Sequence, residues 1–220
     1  MKHFLDLIFS FLFPITKEER LFKERLESIS PQLLLENAPS ILPIPDDGML
    51  AALNYQQIEV KEIIWQLKYK GRKKLATLLA QCLYESLIAE LSDKKLFDNF
   101  TEPLLIPIPL SKKRLRERGF NQSELIAREM SFIDGDRNFT IETSVLYRIK
   151  DNEHQAHIKD RRARFENSKR TFTVLNRDKV LKRNIILLDD VITSGATMLS
   201  AKEELLNAGA RMVFMISVAH

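Results

Sequence analysis

Two adjacent carboxylates, Asp189 and Asp190, follow the apolar run Ile185-Ile186-Leu187-Leu188 and precede Val191-Ile192-Thr193-Ser194-Gly195-Ala196-Thr197. Four apolar residues in a row read as a parallel-sheet strand covered on both faces. The acid pair is expected where that strand runs out. Adjacent carboxylates can accept hydrogen bonds from a vicinal diol, which presents two donors close together. The hydroxyls of Thr193, Ser194 and Thr197 then lie in a turn that opens a helix from Ala196. A helix N-terminus offers unpaired N–H groups and favours an anion. Gly195 lets the backbone approach that anion without a Cβ in the way. Diol and anion together describe a ribose 5-phosphate, and open α/β sheets bind ligands beyond the carboxyl ends of their strands. The plainer alternative is that the aspartates end a strand and Thr193 caps a helix. Neither G-x-x-x-x-G-K-[ST] nor G-x-G-x-x-G occurs in the chain.

A second constellation lies upstream. Ile106-Pro107-Ile108-Pro109-Leu110-Ser111 leads into Lys112-Lys113-Arg114-Leu115-Arg116-Glu117-Arg118, five cations in seven positions, and then Gly119-Phe120-Asn121-Gln122. Arginine grips phosphate oxygens bidentately with its planar fork. A solvated basic helix face is the plainer reading for Lys112 and Lys113 taken alone.

The elements that must position these residues alternate. Residues 60–69 and 73–91 read as helices separated at Gly71, and residues 104–108 as a short buried strand ended by prolines. Residues 121–132 read as a helix, with Asn121 and Glu124 at capping-box spacing. A strand over residues 142–147 precedes a long polar loop. The helix from Ala196 stops near Gly209, and residues 211–218 form the last strand. Strands alternating with helices imply right-handed crossovers and a mostly parallel sheet. Before these come a helix over residues 18–36, interrupted near Pro31, and a proline-rich linker over 39–45. The expected division is a helical extension over residues 1–45 and an α/β domain over 46–220.

Composition frames the rest. With 45% hydrophobic and 29% charged residues, the 220-residue chain reads as an ordinary globular protein. Its net charge of +4 does not announce nucleic-acid binding by itself. The single Cys82, in a helical run, rules out an internal disulfide and fits a cytoplasmic protein. The apolar segment 1–13 is interrupted by Asp6 and ended by Pro14, too short to span a bilayer. It reads as a docked helix, not an integral membrane segment.

The acid pair and its loop resemble the phosphoribosyl pyrophosphate (PRPP) signature of type I phosphoribosyltransferases. The two blocks together resemble the ComF family of competence-associated proteins, whose pattern runs Pro-x-Pro-Leu-Ser, Arg-Gly-Phe-Asn-Gln, then the PRPP signature. Leu67-Lys68-Tyr69-Lys70-Gly71 matches that family's upstream Lys-Tyr-x-Gly element. Gln155, Arg164, Asn167 and Phe172 resemble its intervening Gln…Arg-x-x-Asn…Phe stretch. The resemblance runs from about Asn54 to Ala219. It implies a type I phosphoribosyltransferase fold, PRPP binding with Mg²⁺, and a link to DNA uptake, with single-stranded DNA or DNA-uptake proteins as further partners.

On this resemblance Asp189 and Asp190 are the catalytic pair that holds the ribose diol, with Mg²⁺ reaching them through PRPP. Val191, Ile192, Thr193, Ser194, Gly195, Ala196 and Thr197 form the 5-phosphate loop. Ser111, Lys112, Arg114 and Arg118 hold the pyrophosphate. Gln155, Arg162, Arg164 and Asn167 belong to a lid over residues 148–170, which would exclude water during displacement. One departure is large. Many family members open with a cysteine zinc ribbon, and tetrahedral zinc takes four ligands that one Cys and four scattered His do not supply. Two activities follow: transfer of phosphoribosyl from PRPP to an acceptor, or non-catalytic binding of PRPP or a nucleotide in DNA uptake. The acceptor is not legible, and neither is the oligomeric state.

Overall fold

A computed structural model describes residues 28–40, 49–149 and 171–220. Residues 1–27 and the lid residues Gln155, Arg162, Arg164 and Asn167 lie outside the described residues, as does most of the proline-rich linker. The chain divides into two compact units, Met1–Ser30 and Pro31–His220.

Within the larger unit, helix α1 (Pro31–Asn37) precedes strand β1 (Met49–Leu53). Helices α2 (Ile58–Lys70) and α3 (Lys74–Phe97) lead to β2 (Leu104–Pro107). Gly71 ends α2 at φ 63°, a left-handed cap in which its N–H reaches Gln66 O. A short helix α4 (Lys112–Arg118) and a longer α5 (Gln122–Asp134) then lead to β3 (Thr140–Ile141). Strands β4 (Leu146–Arg148) and β5 (Phe172–Val174) form a separate antiparallel ribbon. The chain closes with β6 (Asn184–Val191), α6 (Ala196–Asn207) and β7 (Met212–Ala219).

The main sheet has the order β1-β7-β6-β2-β3, with every neighbouring pair parallel. This is the mostly parallel sheet flanked by helices that the alternating pattern implies. The apolar run of β6 sits at its centre because both faces are covered. Ile185 and Leu187 pack with Met198, Ala201 and Leu205 of α6, and with Leu146 and Phe172 of the ribbon. Ile186 and Leu188 are out of phase with them and equally buried, on the face where α3 and α5 pack. Among the described residues no helix is long and apolar enough to cross a membrane.

Three expectations need correction. First, the strand expected over 142–147 is two pieces in two sheets. Glu142 accepts from both the N–H and hydroxyl of Ser144, and this local turn breaks the strand. Second, β6 does not end at Leu188 but runs through the acid pair to Val191. Third, Asn121 caps α5 through Ser123 N–H, while Glu124 pairs with Arg128. The basic stretch is a helix, capped by Ser111 and ended by Gly119.

The end of α5 is pinned by a buried carboxylate. Asp134 accepts from Tyr84 Oη, from Asn138 through both its N–H and its side-chain amide, and weakly from Phe139 N–H. Burial alone would raise its pKa; these hydrogen bonds outweigh burial and hold it below the ordinary carboxylate value. Asp134→Ala orphans several donors at once, so a stability loss of about 1–3 kcal/mol is expected in denaturant unfolding. An unchanged midpoint would show that water replaces the carboxylate without cost.

Candidate functional site

The sheet order places a topological switch between β2 and β6. From β6 the chain crosses through α6 to β7, toward one edge. From β2 it crosses through α4 and α5 to β3, toward the other. Loops that leave neighbouring parallel strands in opposite directions open a crevice at the strands' carboxyl ends. The acid pair and the basic helix follow from those two ends.

Pairing of β2 with β6 stops at Pro107–Leu188, and Ile108 N–H closes it on Leu188 O. Asp189 and Val191 continue to pair with β7, opposite Ser217 and Ala219. Asp190 N–H, which a longer β2 would have accepted, donates to the Asp189 carboxylate at 2.9 Å instead. Ser123 Oγ, at the start of α5, donates to the same oxygen at 3.0 Å. Burial, and then the neighbouring Asp190 charge, push the Asp189 pKa up from 3.8 to about 7, against hydrogen bonds and Lys68 acting the other way. Asp190 is 11% exposed and forms an ion pair with Lys68, whose Nζ lies 2.9 Å from Oδ2.

Beyond the pair, Ile192 is a peg. Its side chain is buried in the core and its N–H donates to Ala219 O. Thr193 and Ser194 are exposed, and Ala196 and Thr197 half-buried. The cap of α6 is Gly195 at φ 72°, with no side-chain cap hydrogen bond, so Thr193 does not cap this helix. A Cβ at Gly195 would add left-handed strain and meet Met49 Cε at 3.4 Å. The first turn of α6 carries no acidic side chain. No carboxylate thus offsets the sign of this helix end, which suits an anion.

On the β2 side, Asn121 Nδ2 donates to Ile108 O and ties the start of α5 to the strand's exit. Ser111, buried, accepts from Arg114 N–H as the cap of α4. The side chains of Lys112 and Arg114 are exposed. Arg118 is held on two sides: Nη1 donates to Gln122 Oε1 at 3.0 Å and Nη2 to Tyr69 Oη at 3.3 Å. Gln122 Nε2 is buried without a partner among the described residues.

Consecutive residues of α2 therefore reach both halves: Lys68 the acid pair and Tyr69 the arginine. Neither was assigned a role from sequence, nor was Ser123. The Leu67–Gly71 element was the available signal, but its partners stand some 50 to 120 residues away. The lid residues Gln155, Arg162, Arg164 and Asn167 are not described; their segment is flanked by β4 and β5.

A divalent cation fits this site only in company. Among the described residues no group of three or more His, Cys, Asp or Glu is placed to hold a metal. Two carboxylates, one engaged by Lys68, do not make a cage. Mg²⁺ keeps several waters and is bound through one or two carboxylates plus ligand phosphates. That donor set is what the crevice would provide with a phosphorylated ligand.

No family model matches the chain. Curated relatives do. DNA utilization protein YhgH of Shigella flexneri is 28% identical over 171 residues, 78% of this chain and 71% of that protein. The Salmonella typhi protein of the same name is 27% identical over 154 residues, 69% of this chain and 63% of its own length. Competence protein ComFC of Bacillus subtilis is 32% identical over 150 residues, 68% of this chain and 55% of that protein. The chain thus spans a little over half to under three quarters of the length of these relatives. Among solved structures, a Trypanosoma cruzi hypoxanthine phosphoribosyltransferase aligns at TM-score 0.40 and 7% identity, covering 66% of this chain and 64% of that one. A regulatory enzyme of purine biosynthesis aligns at TM-score 0.41 and 17% identity, covering 69% and 29%. Those structural likenesses are distant, and the assignment rests on the sequence relatives: the chain is a ComF-like protein, similar to competence and DNA utilization proteins, with a mostly parallel sheet flanked by helices.

Proposed function

We propose that the crevice between β2 and β6 binds PRPP with Mg²⁺ and transfers its phosphoribosyl group to an acceptor, in a cytoplasmic protein that serves DNA uptake or nucleotide metabolism. One observation carries this reading. At a single switch point, a strand that carries two carboxylates just before its last residue leads to a helix whose cap is a left-handed glycine and not a side chain. Asp189 and Asp190 accept the ribose hydroxyls, and the turn from Thr193 to Thr197 takes the 5-phosphate. Lys112, Arg114 and Arg118 face the pyrophosphate. Mg²⁺ bound through the pyrophosphate would draw charge from the leaving group. In the transfer, the acceptor's lone pair bonds to C1 of the ribose as the C1–oxygen bond breaks, and pyrophosphate leaves with that electron pair. The relatives' names, DNA utilization and competence protein, support the DNA-handling side.

Saturating Mg²⁺·PRPP is expected to raise the melting temperature. At a hundredfold excess over the dissociation constant the gain is about 2.7 kcal/mol, or several degrees at about 2–4 °C per kcal/mol. Ribose 5-phosphate should give a smaller shift. Arg114→Ala and Arg118→Ala should reduce the PRPP shift and spare that of ribose 5-phosphate; equal losses would remove the cations from the pyrophosphate. No shift with PRPP would sink the reading. A second reading, PRPP binding without transfer, follows if the shift occurs but no base from a panel releases pyrophosphate.

A further inference from the structure

Displacement at a sugar carbon decides which side of the sheet an acceptor must use. The attacking lone pair enters opposite the leaving group, because the reacting orbitals must align. On the proposed function the pyrophosphate lies against Lys112, Arg114 and Arg118, which follow β2. In the order β1-β7-β6-β2-β3, β2 flanks β6 on one side, and β7 and then β1 lie on the other. The acceptor's side is therefore the carboxyl ends of β7 and β1. His220 stands there. Pairing with β1 continues through it: its N–H donates to Leu53 O at 3.1 Å, and its C=O accepts from Tyr55 N–H at 2.9 Å. Asp189 is opposite Ser217 and Val191 opposite Ala219, so Asp190 is level with Val218. Level residues on neighbouring strands share a face, as do residues two apart on one strand, so His220 shares the face of Asp190. It lies one strand across and two residues further on, about 8 Å away by strand spacing and rise. The imidazole is half-buried, and its Nδ1 is buried without a partner among the described residues. The polar groups around it are taken. Asn54 Oδ1 accepts from Gln56 N–H, Gln56 Oε1 accepts from Lys61 Nζ, and Ser217 Oγ donates to Ala219 O. A buried nitrogen left open costs stability until something completes it.

We propose that His220 is the acceptor-side residue of the transfer: an N–H nucleophile enters over the carboxyl ends of β7 and β1 and donates to Nδ1. This rests on the transferase reading, to which it adds the side of entry and the group that receives the acceptor. As the acceptor's lone pair bonds to C1 of the ribose, the C1–oxygen bond breaks and pyrophosphate leaves with its electrons. The proton that the acceptor sheds passes to Nδ1. A span of about 8 Å suits an acceptor as large as one ring or a side-chain amide. Ammonia seated at C1 falls short of Nδ1.

The test measures pyrophosphate release by the full chain from Mg²⁺·PRPP with hypoxanthine, uracil, glutamine and ammonia, one at a time. Release with at least one of the three larger acceptors is expected. His220→Ala should lower kcat/KM for that acceptor about 5- to 150-fold, the range of a lost buried hydrogen bond. The Mg²⁺·PRPP melting shift should persist in the same variant, because His220 serves the acceptor and not PRPP. His220→Asn, whose amide stands where Nδ1 does, should keep most of the rate. His220→Gln, whose amide reaches the Nε2 position, should not. Any release with ammonia should be indifferent to His220. Unchanged ligand-free melting temperatures would show that the variants fold. Equal rates in parent and His220→Ala would overturn the proposal, as would equal losses in the Asn and Gln variants or an ammonia rate that falls with them. So would a PRPP melting shift with no release by any of the three larger acceptors, which leaves PRPP binding standing. No PRPP shift in the parent would instead sink the transferase reading, and His220's role with it.

Discussion

Asp189→Asn is expected to stabilise the ligand-free protein at neutral pH, by a margin that vanishes in acid. The folded carboxyl titrates near pH 7 where an unfolded one titrates near 3.8. Between those values the unfolded chain has released the proton that the folded chain still binds, so folding stability falls as pH rises. Above about pH 7 both forms are ionised and the penalty is constant. At about 1.4 kcal/mol per pH unit over that interval, the cost is at most about 4 kcal/mol. Asparagine keeps the acceptor oxygen that Ser123 Oγ and Asp190 N–H use, and it carries no charge to bury. Denaturant unfolding of parent and variant from pH 4.5 to 8, without phosphate esters or divalent ions, should show the gap opening through that range. A gap independent of pH would mean that Asp189 is ionised throughout.

On the proposed function this cost has a purpose. A diol donating to the pair, with a cation nearby, favours the ionised carboxylate, so binding should strengthen as pH rises toward 7 and should release a proton. Sites that hold charge ready for a ligand are commonly less stable than the fold could be. Asp189→Asn should therefore gain stability and lose ligand together.

What could be read from the sequence was what local pattern decides. The run Ile185–Leu188 marks a central strand because burial on both faces leaves no place for a polar residue. Gly71 and the Ala196 start were legible because backbone conformation and helix propensity act locally. The misread elements depend on distant partners or on competing local bonds. Asp189 and Asp190 belong to β6 because β7 extends alongside them to Ala219, and no pattern within residues 185–197 reports that. The 142–147 segment has strand residues, but the Glu142–Ser144 turn divides it. Of the site, the acid pair and the glycine turn were visible as types in order. The Lys68 pairing with Asp190, 122 positions away, was not.

That pairing sets the last expected result. Removing one partner of a largely buried ion pair strands the other charge. Lys68 is 19% exposed and Asp190 11%, so some water remains. Lys68→Met should then cost about 2–3 kcal/mol at pH 8, below the 3–5 typical of full burial. The loss should shrink toward pH 5, because Lys68 helps to keep Asp189 ionised and without it the pair holds a proton more readily. The double variant Lys68→Met with Asp190→Asn removes both charges and should recover most of the loss. In a double-mutant cycle the coupling should exceed about 1 kcal/mol. Simple additivity would show that the ammonium and carboxylate only lie close together. The cycle also bears on Arg118, since Tyr69 is its support and the next residue of α2. If Lys68 anchors that turn, Lys68→Met should weaken the PRPP shift even where ribose 5-phosphate binding persists. A variant that lost stability but kept the full PRPP shift would confine Lys68 to the fold.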